Sequence, residues 1–382
     1  MLDIVRDIQI NAMNSAKKND FGNLTILCLL LPGFIYLCFW SPVAISKPFV
    51  SIQNYHPYAK SNTLQTLNVS KDELEEALDE ASMENKTLII AVVNKAYVEQ
   101  RDDRYPTMLD LFLESFWVGE ETRSLLDHLL IVAVDQTAYD RCKFRRLHCY
   151  RLVTDGVDFK GEKLYMSDDF IKMMWRRTLF LSDVLKRGYN FIFTDADIMW
   201  LRNPFAKLSK NESEDLQIST DVFEGNPWSE QTLINTGFYY IQSNSKTISL
   251  FEMWHAMKSN STGMKEQDVL ASLMKKGVFR ELGLRVRFLD TLYFSGFCSD
   301  SRDVSAVTTV HANCCRSISA KVADLMAVLR DWRKYKAVVG SWKKYIGSSK
   351  ASKAMHAANE TFRWSNHIAC FKSWRVPDKT LG

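Results

Sequence analysis

The chain is predicted to fold as an α/β domain built on an open, mostly parallel sheet of Rossmann-like type, flanked by helices. Three observations predict it. Strand-length apolar runs alternate with helix-length stretches over residues 71–340, the pattern of a parallel sheet covered on both faces. Hydrophobic residues make up 46% of the chain and aromatics 12%, ample for a packed core. One apolar run, ending at Thr194, leads straight into two acids one residue apart, and open sheets place their ligands at such carboxyl edges.

The elements follow in order. Residues 71–80 read as a helix, with Ser70 as its cap and acids in its first turn. Residues 87–93 form a buried strand, followed by Asn94. A helical stretch over 105–117 leads to a second strand, 129–135. Ser167 caps a helix running to Arg187, with Gly188 as its stop. The strand carrying the paired acids comes next, and Pro204 ends regular structure beyond it. Further strands are expected at 216–221, 236–241 and 286–289, and a helix over 320–335 closes the domain. Residues 341–382 form a basic extension with no assigned place.

The amino terminus has its own character. Residues 21–46 carry no charge, and at about 1.5 Å per residue such a stretch spans a bilayer of roughly 30 Å. Lys17 and Lys18 precede it, so the positive-inside rule keeps residues 1–20 cytosolic and sends the rest to the lumen. The apolar region is long for a cleaved signal peptide and no small-x-small site follows it, which favours a single-pass signal anchor. Residues 47–70, polar and uneven, suit a stem. Lumenal placement agrees with Asn-x-Ser/Thr triplets headed by Asn68, Asn85, Asn211, Asn260 and Asn359. Six of the eight cysteines lie beyond the apolar segment, and they allow fifteen pairings, of which Cys142 with Cys149 is the nearest. With no Cys-x-x-Cys pair, zinc is not expected. A net charge of +4 without a basic stripe gives no support for nucleic-acid binding.

Asp195 and Asp197 carry the functional reading. On a strand they would point the same way, with small Ala196 opposite. Paired carboxylates suit a hard divalent ion such as Mn2+ or Mg2+, and such an ion can hold the diphosphate of a nucleotide-sugar. An isolated Asp-x-Asp is usually a solvated loop, and the strand before it favours the metal reading here. His311 follows a β-prone run and offers a third metal ligand, although a lone histidine is also a common structural residue. Asn235 and Gly237 fit a loop around a sugar, or an ordinary turn. Lys265, Glu266, Gln267 and Asp268 stand at a helix start, as exposed caps also do. Lys172, Arg176 and Arg177 lie on the helix before the acid pair, where cations hold phosphates or simply face solvent.

These blocks, taken together, resemble a known family. Residues 174–178 (Met-Trp-Arg-Arg-Thr), 193–204 (Phe-Thr-Asp-Ala-Asp-Ile-Met-Trp-Leu-Arg-Asn-Pro), 233–240, 266–270 and 311–316 are similar, in order, to the plant nucleotide-diphospho-sugar transferase domain of glycosyltransferase family 77. The likeness spans roughly residues 85–335 and is nearest the less characterised plant branch. It implies a GT-A fold, a Golgi type II membrane protein, Mn2+ dependence, a UDP-sugar donor and retention of anomeric configuration. It implies an acceptor among cell-wall polysaccharides or glycoproteins, and admits a Golgi oligomer. By motif, Asp195 and Asp197 match the metal and nucleotide-sugar site, with His311 completing the coordination. Asn235 and Gly237 match the sugar-side loop, Gln267 and Asp268 the acceptor-side segment, and Asp135 a contact to uracil.

Retaining chemistry leaves the far-face carboxylate open. A double displacement needs one and a same-face return does not; Asp268, Glu266 and Asp221 are the acids to test. An aspartyl-phosphate phosphatase also uses Asp-x-Asp after a strand, but it wants Thr or Val where Met199 stands. A catalytically inactive lumenal sugar-binding or scaffold protein of the same fold is the second reading.

Overall fold

The computed structural model describes residues 71–99, 105–154, 159, 161–163, 165–345 and 362–375. The expected cytosolic tail, signal anchor and stem lie outside the described residues. No described helix is long and apolar enough to cross a membrane.

In chain order the elements begin with α1 (Glu73–Ala81), β1 (Thr87–Val93), α2 (Lys95–Val98), α3 (Met108–Val118) and β2 (Leu129–Ala133). Next come α4 (Gln136–Phe144), β3 (His148–Arg151), α5 (Asp168–Lys186), β4 (Asn190–Thr194) and β5 (Ile198–Trp200). Then follow β6 (Leu216–Val222), β7 (Leu233–Ile241), α6 (Ser245–Ala256), α7 (Glu266–Lys275) and α8 (Val278–Glu281). Last are β8 (Val286–Phe288), β9 (Phe294–Gly296), β10 (Thr309–His311), α9 (Ile318–Tyr345) and α10 (Ile368–Ser373).

Seven strands form one sheet in the order β3-β2-β1-β4-β7-β6-β8, and β5-β10-β9 form a second. In the large sheet β7 alone runs against the others, so the fold is mixed α/β with a mostly parallel centre. β1 shows why such strands read as unbroken apolar runs. Leu88 and Ile90 join Trp175 and Phe180 of α5 and Phe251 of α6 on one face. Ile89 and Ala91 join Phe112 and Phe116 of α3 and Leu325 of α9 on the other. Successive side chains leave a strand on opposite faces, and here both are dry. Each large side chain so buried contributes about 1.5–3 kcal/mol.

Local signals set most boundaries. Ser167 accepts a hydrogen bond from Phe170 N at 3.2 Å and starts α5. Gly188, at φ +83°, turns the chain left-handed after it, a conformation glycine adopts without strain. The start of α1 differs from expectation: Asp72 is the cap, accepting from Glu75 N at 2.8 Å, and Ser70 lies outside the described residues. The closing helix α9 is longer than expected and reaches Tyr345.

Three disulfides join the described cysteines. Cys142 pairs with Cys149, the nearest partner, while Cys298 pairs with Cys314 and Cys315 with Cys370. Neighbouring Cys314 and Cys315 thus pull in two directions, one toward the loop after β9 and the other toward α10. Part of the expected extension thereby packs back onto the domain: Cys370 N donates to buried Asp324 at 2.7 Å and Ser365 N to buried Asp331 at 2.7 Å, both acids on α9.

Candidate active site

The paired acids sit where the chain leaves one sheet for the other. β4 belongs to the large sheet and β5 to the small one, and residues 195–197 form the turn between them. Sequence alternation placed both aspartates on a strand; instead Ile198 N closes back on Asp195 O at 3.2 Å. Both acids nevertheless line one cleft of about 270 Å³ at the sheet's carboxyl edge. β10 pairs antiparallel with β5, setting His311 opposite Ile198, and Ala312 N donates to Asp197 O at 3.1 Å. That register brings the histidine to the acids.

The two carboxylates are wired alike. Asp195 accepts from Arg177 at 2.8 Å through Oδ1, while Oδ2 lies 3.8 Å from His311 Nε2. Asp197 accepts from Lys321 at 2.6 Å through Oδ2, while Oδ1 lies 3.4 Å from His311 Nε2. Each acid therefore commits one oxygen to a cation, Arg177 being buried and Lys321 partly buried, and keeps the other beside the imidazole. Asp197 Oδ1 is buried without a hydrogen bond. Ligand atoms of Asp195, Asp197 and His311 all fall within 4.8 Å of one another. Two carboxylate oxygens with an imidazole nitrogen are a donor set for Mn2+ or Mg2+, and the orphaned oxygen fits that use.

Electrostatics follow from this wiring. Burial would raise the Asp197 carboxyl, but Lys321 and His311 hold it well below the usual carboxylate range. Burial lifts Asp195 above that range against the pull of Arg177. Burial would lower the Lys321 ammonium, and Asp197 raises it above its ordinary value. Arg177 also donates to Glu266 Oε1 at 2.6 Å and lies over the Phe193 ring at 4.6 Å. Glu266 Oε2 is buried with no partner. The whole cleft is lined by as many acidic as basic side chains, five of each.

Several expected residues sit elsewhere or act differently. Asp135 does not line the cleft; it accepts from Ala138 N at 2.9 Å and Lys95 N at 2.5 Å, capping α4 and α2, so its carboxylate is spent on helix starts. Lys172 is exposed beside Asp169, and Arg176 bonds the Val153 carbonyl at 2.9 Å. Arg177, one position on and about 100° round the helix, takes the inward place. The same phase argument moves Asp268 off the lining, where Glu266 and Gln267 remain. Asn235 does line the cleft, but its amide is committed to Asp221 at 2.8 Å and Gly237 N at 2.8 Å, so it shapes the wall. Gln267 accepts from Thr236 N at 3.0 Å. Lys321 is the residue the sequence reading passed over. A lysine in the first turn of a helix opposes the macrodipole, and that anomaly was the signal of a nearby anion.

Gly237 owes its identity to close approach. A Cβ there would meet His311 Cε1, and would stand 2.9 Å from both Asn235 Oδ1 and Asp195 Oδ2. Gly237→Ala is expected to displace the imidazole and weaken Mn2+ binding by about ten- to a hundredfold, as losses around metal ligands do. Titration calorimetry measures this, and unchanged affinity would remove His311 from the ligand set.

Comparison with known proteins covers the same residues. A family model described as nucleotide-diphospho-sugar transferase matches residues 124–325, which include both aspartates, Glu266, His311 and Lys321. Uncharacterized protein At1g28695 of Arabidopsis thaliana is 56% identical over 94% of this chain and 96% of its own length. Uncharacterized protein At4g15970 of the same plant is 38% identical, covering 79% of this chain and 75% of its own. Beta-arabinofuranosyltransferase RAY1, also from Arabidopsis thaliana, is 26% identical over 62% of this chain and 45% of its own length.

Proposed function

The chain belongs to the nucleotide-diphospho-sugar transferase family, and from that premise we propose that it is a metal-dependent glycosyltransferase of the GT-A type using a UDP-sugar. The observation that carries this is the divided wiring of Asp195 and Asp197, which leaves one oxygen of each beside His311. Mn2+ or Mg2+ held by these three residues would supply Lewis-acid stabilisation to the departing diphosphate. The chain's own groups do the rest. Lys321 holds Asp197 ionised and brings a positive charge to the phosphate side. Arg177 orients Asp195 and ties it to Glu266. Of the three other carboxylates in the cleft, Glu162 accepts from Ile318 N at 2.7 Å, and Glu266 and Asp221 are the ones we assign to stabilise an oxocarbenium-like centre, with retention of configuration the expected outcome.

A Golgi type II setting agrees with the apolar stretch over 21–46 and with three disulfides among the described residues, which persist in an oxidising lumen. The acceptor is a cell-wall polysaccharide or glycoprotein, and the name of the arabinofuranosyltransferase relative makes a pentose donor the first to try. The test incubates full-length protein in detergent with a panel of UDP-sugars and Mn2+. Release of UDP from one of them, abolished by EDTA, is the expected result. No release from any, with saccharide still bound, would favour an inactive sugar-binding protein.

A further inference from the structure

We infer that Trp374, with Tyr165 beside it, forms a stacking platform for a sugar ring of the acceptor at the mouth of the cleft. The inference rests on the transferase reading above and adds to it the residues that receive the second substrate.

Trp374 follows α10 and reaches the cleft because the segment carrying it is fastened at several points. Cys370 is joined to Cys315 and its N–H is bound by Asp324, while Arg316 N donates to Ser373 Oγ at 3.1 Å. The indole N–H then donates to Cys314 O at 2.7 Å. A side chain held this firmly is nonetheless 50% exposed, and it lines the same cleft as Asp195 and Asp197. The Arg316 guanidinium lies over the indole at 5.3 Å, yet packing alone does not explain the arrangement, because a half-exposed indole forgoes much of its burial energy. Tyr165, 36% exposed, stands edge-on with its ring centroid 6.4 Å away. A sugar presents an apolar C–H face and a polar rim of hydroxyls. A fixed, wet aromatic face with charged groups around it matches both parts.

The platform is also wired to the acid pair. Tyr165 OH accepts from Lys265 Nζ at 3.1 Å, and Lys265 directly precedes Glu266, the acid that Arg177 ties to Asp195. The platform is thus joined through Lys265 to the Asp195–Glu266 arm of the cleft, and through Cys315 and Asp324 to the start of α9, which carries Lys321. Neither Trp374 nor Tyr165 belongs to the Asp195–Asp197–His311 donor set that would hold the ion and diphosphate, which leaves them to the second substrate.

The test uses full-length protein in detergent on a printed array of plant cell-wall oligosaccharides, with UDP and Mn2+ present, and UDP affinity measured in parallel by calorimetry. In Trp374→Ala, saccharide retention should fall about tenfold more than UDP affinity, the scale of one aromatic contact. Trp374→Phe should recover most of it, and Cys315→Ser/Cys370→Ser, which frees the segment, should behave like Trp374→Ala. Equal retention by Trp374→Ala, a parallel fall in UDP affinity, or a wild-type protein that retains no oligosaccharide would each overturn the platform. Wild-type protein that holds saccharide through Trp374 but no UDP supports the platform and sinks the transferase reading instead.

Discussion

Asp197→Ala is expected to cut Mn2+-dependent cleavage of the donor about a thousandfold, equivalent to about 4 kcal/mol of transition-state stabilisation. The size follows from losing two things at once. The buried, hydrogen-bond-free Oδ1 is removed from the ligand set, and Lys321 loses the carboxylate 2.6 Å away that offsets its desolvation. The second loss also costs stability, because a partly buried ammonium is left without its partner. Asp197→Ala/Lys321→Met separates the two effects. It should regain much of the urea midpoint while remaining inactive. Steady-state UDP release and urea unfolding measure both arms; wild-type turnover in Asp197→Ala would exclude Asp197 from the chemistry.

Arg177→Met should be the most destabilising change in the cleft, by about 3–5 kcal/mol. The guanidinium is buried and bonds two acids on different elements, Asp195 at 2.8 Å and Glu266 at 2.6 Å. Without it, Glu266 keeps only Thr236 on Oε1, at 3.0 Å, and nothing on Oε2. Lysine does not substitute, since one ammonium cannot reproduce a planar fork serving two carboxylates. Arg177→Met/Glu266→Gln should recover part of the loss, because the two residues are directly coupled. Chemical denaturation followed by circular dichroism reads the midpoints. A midpoint for Arg177→Met within error of wild type would show the triad to be energetically idle.

The contrast between residues that were legible in the sequence and those that were not has physical causes. β1, β2, β4 and α5 were readable because apolar runs and caps are local: Ser167, Gly188 and the residues of β1 interact with near neighbours or with a dry layer. The acid pair was readable for the same reason, since it ends a strand. Asp135 misled because a strand-end acid and a helix cap share a position, and helix starts claimed both its oxygens. Arg177 and Glu266 were blurred by neighbours of like charge, and only the phase of α5 and α7 separates them from Arg176 and Asp268. Lys321 pairs with Asp197 across 124 residues, and Cys370 finds Cys315 across 55. Such partnerships depend on β5 meeting β10 and on the path of α9, which no short window contains.

The even balance of acids and bases around the cleft bears on how it fills. A divalent cation entering alone leaves two positive charges unanswered in a partly dry pocket, and a diphosphate ester entering alone leaves two negative ones. Together they cancel. Each should therefore raise the other's affinity by the same factor, as thermodynamic reciprocity requires, and on the proposed function ion and nucleotide would enter as one jointly stabilised guest.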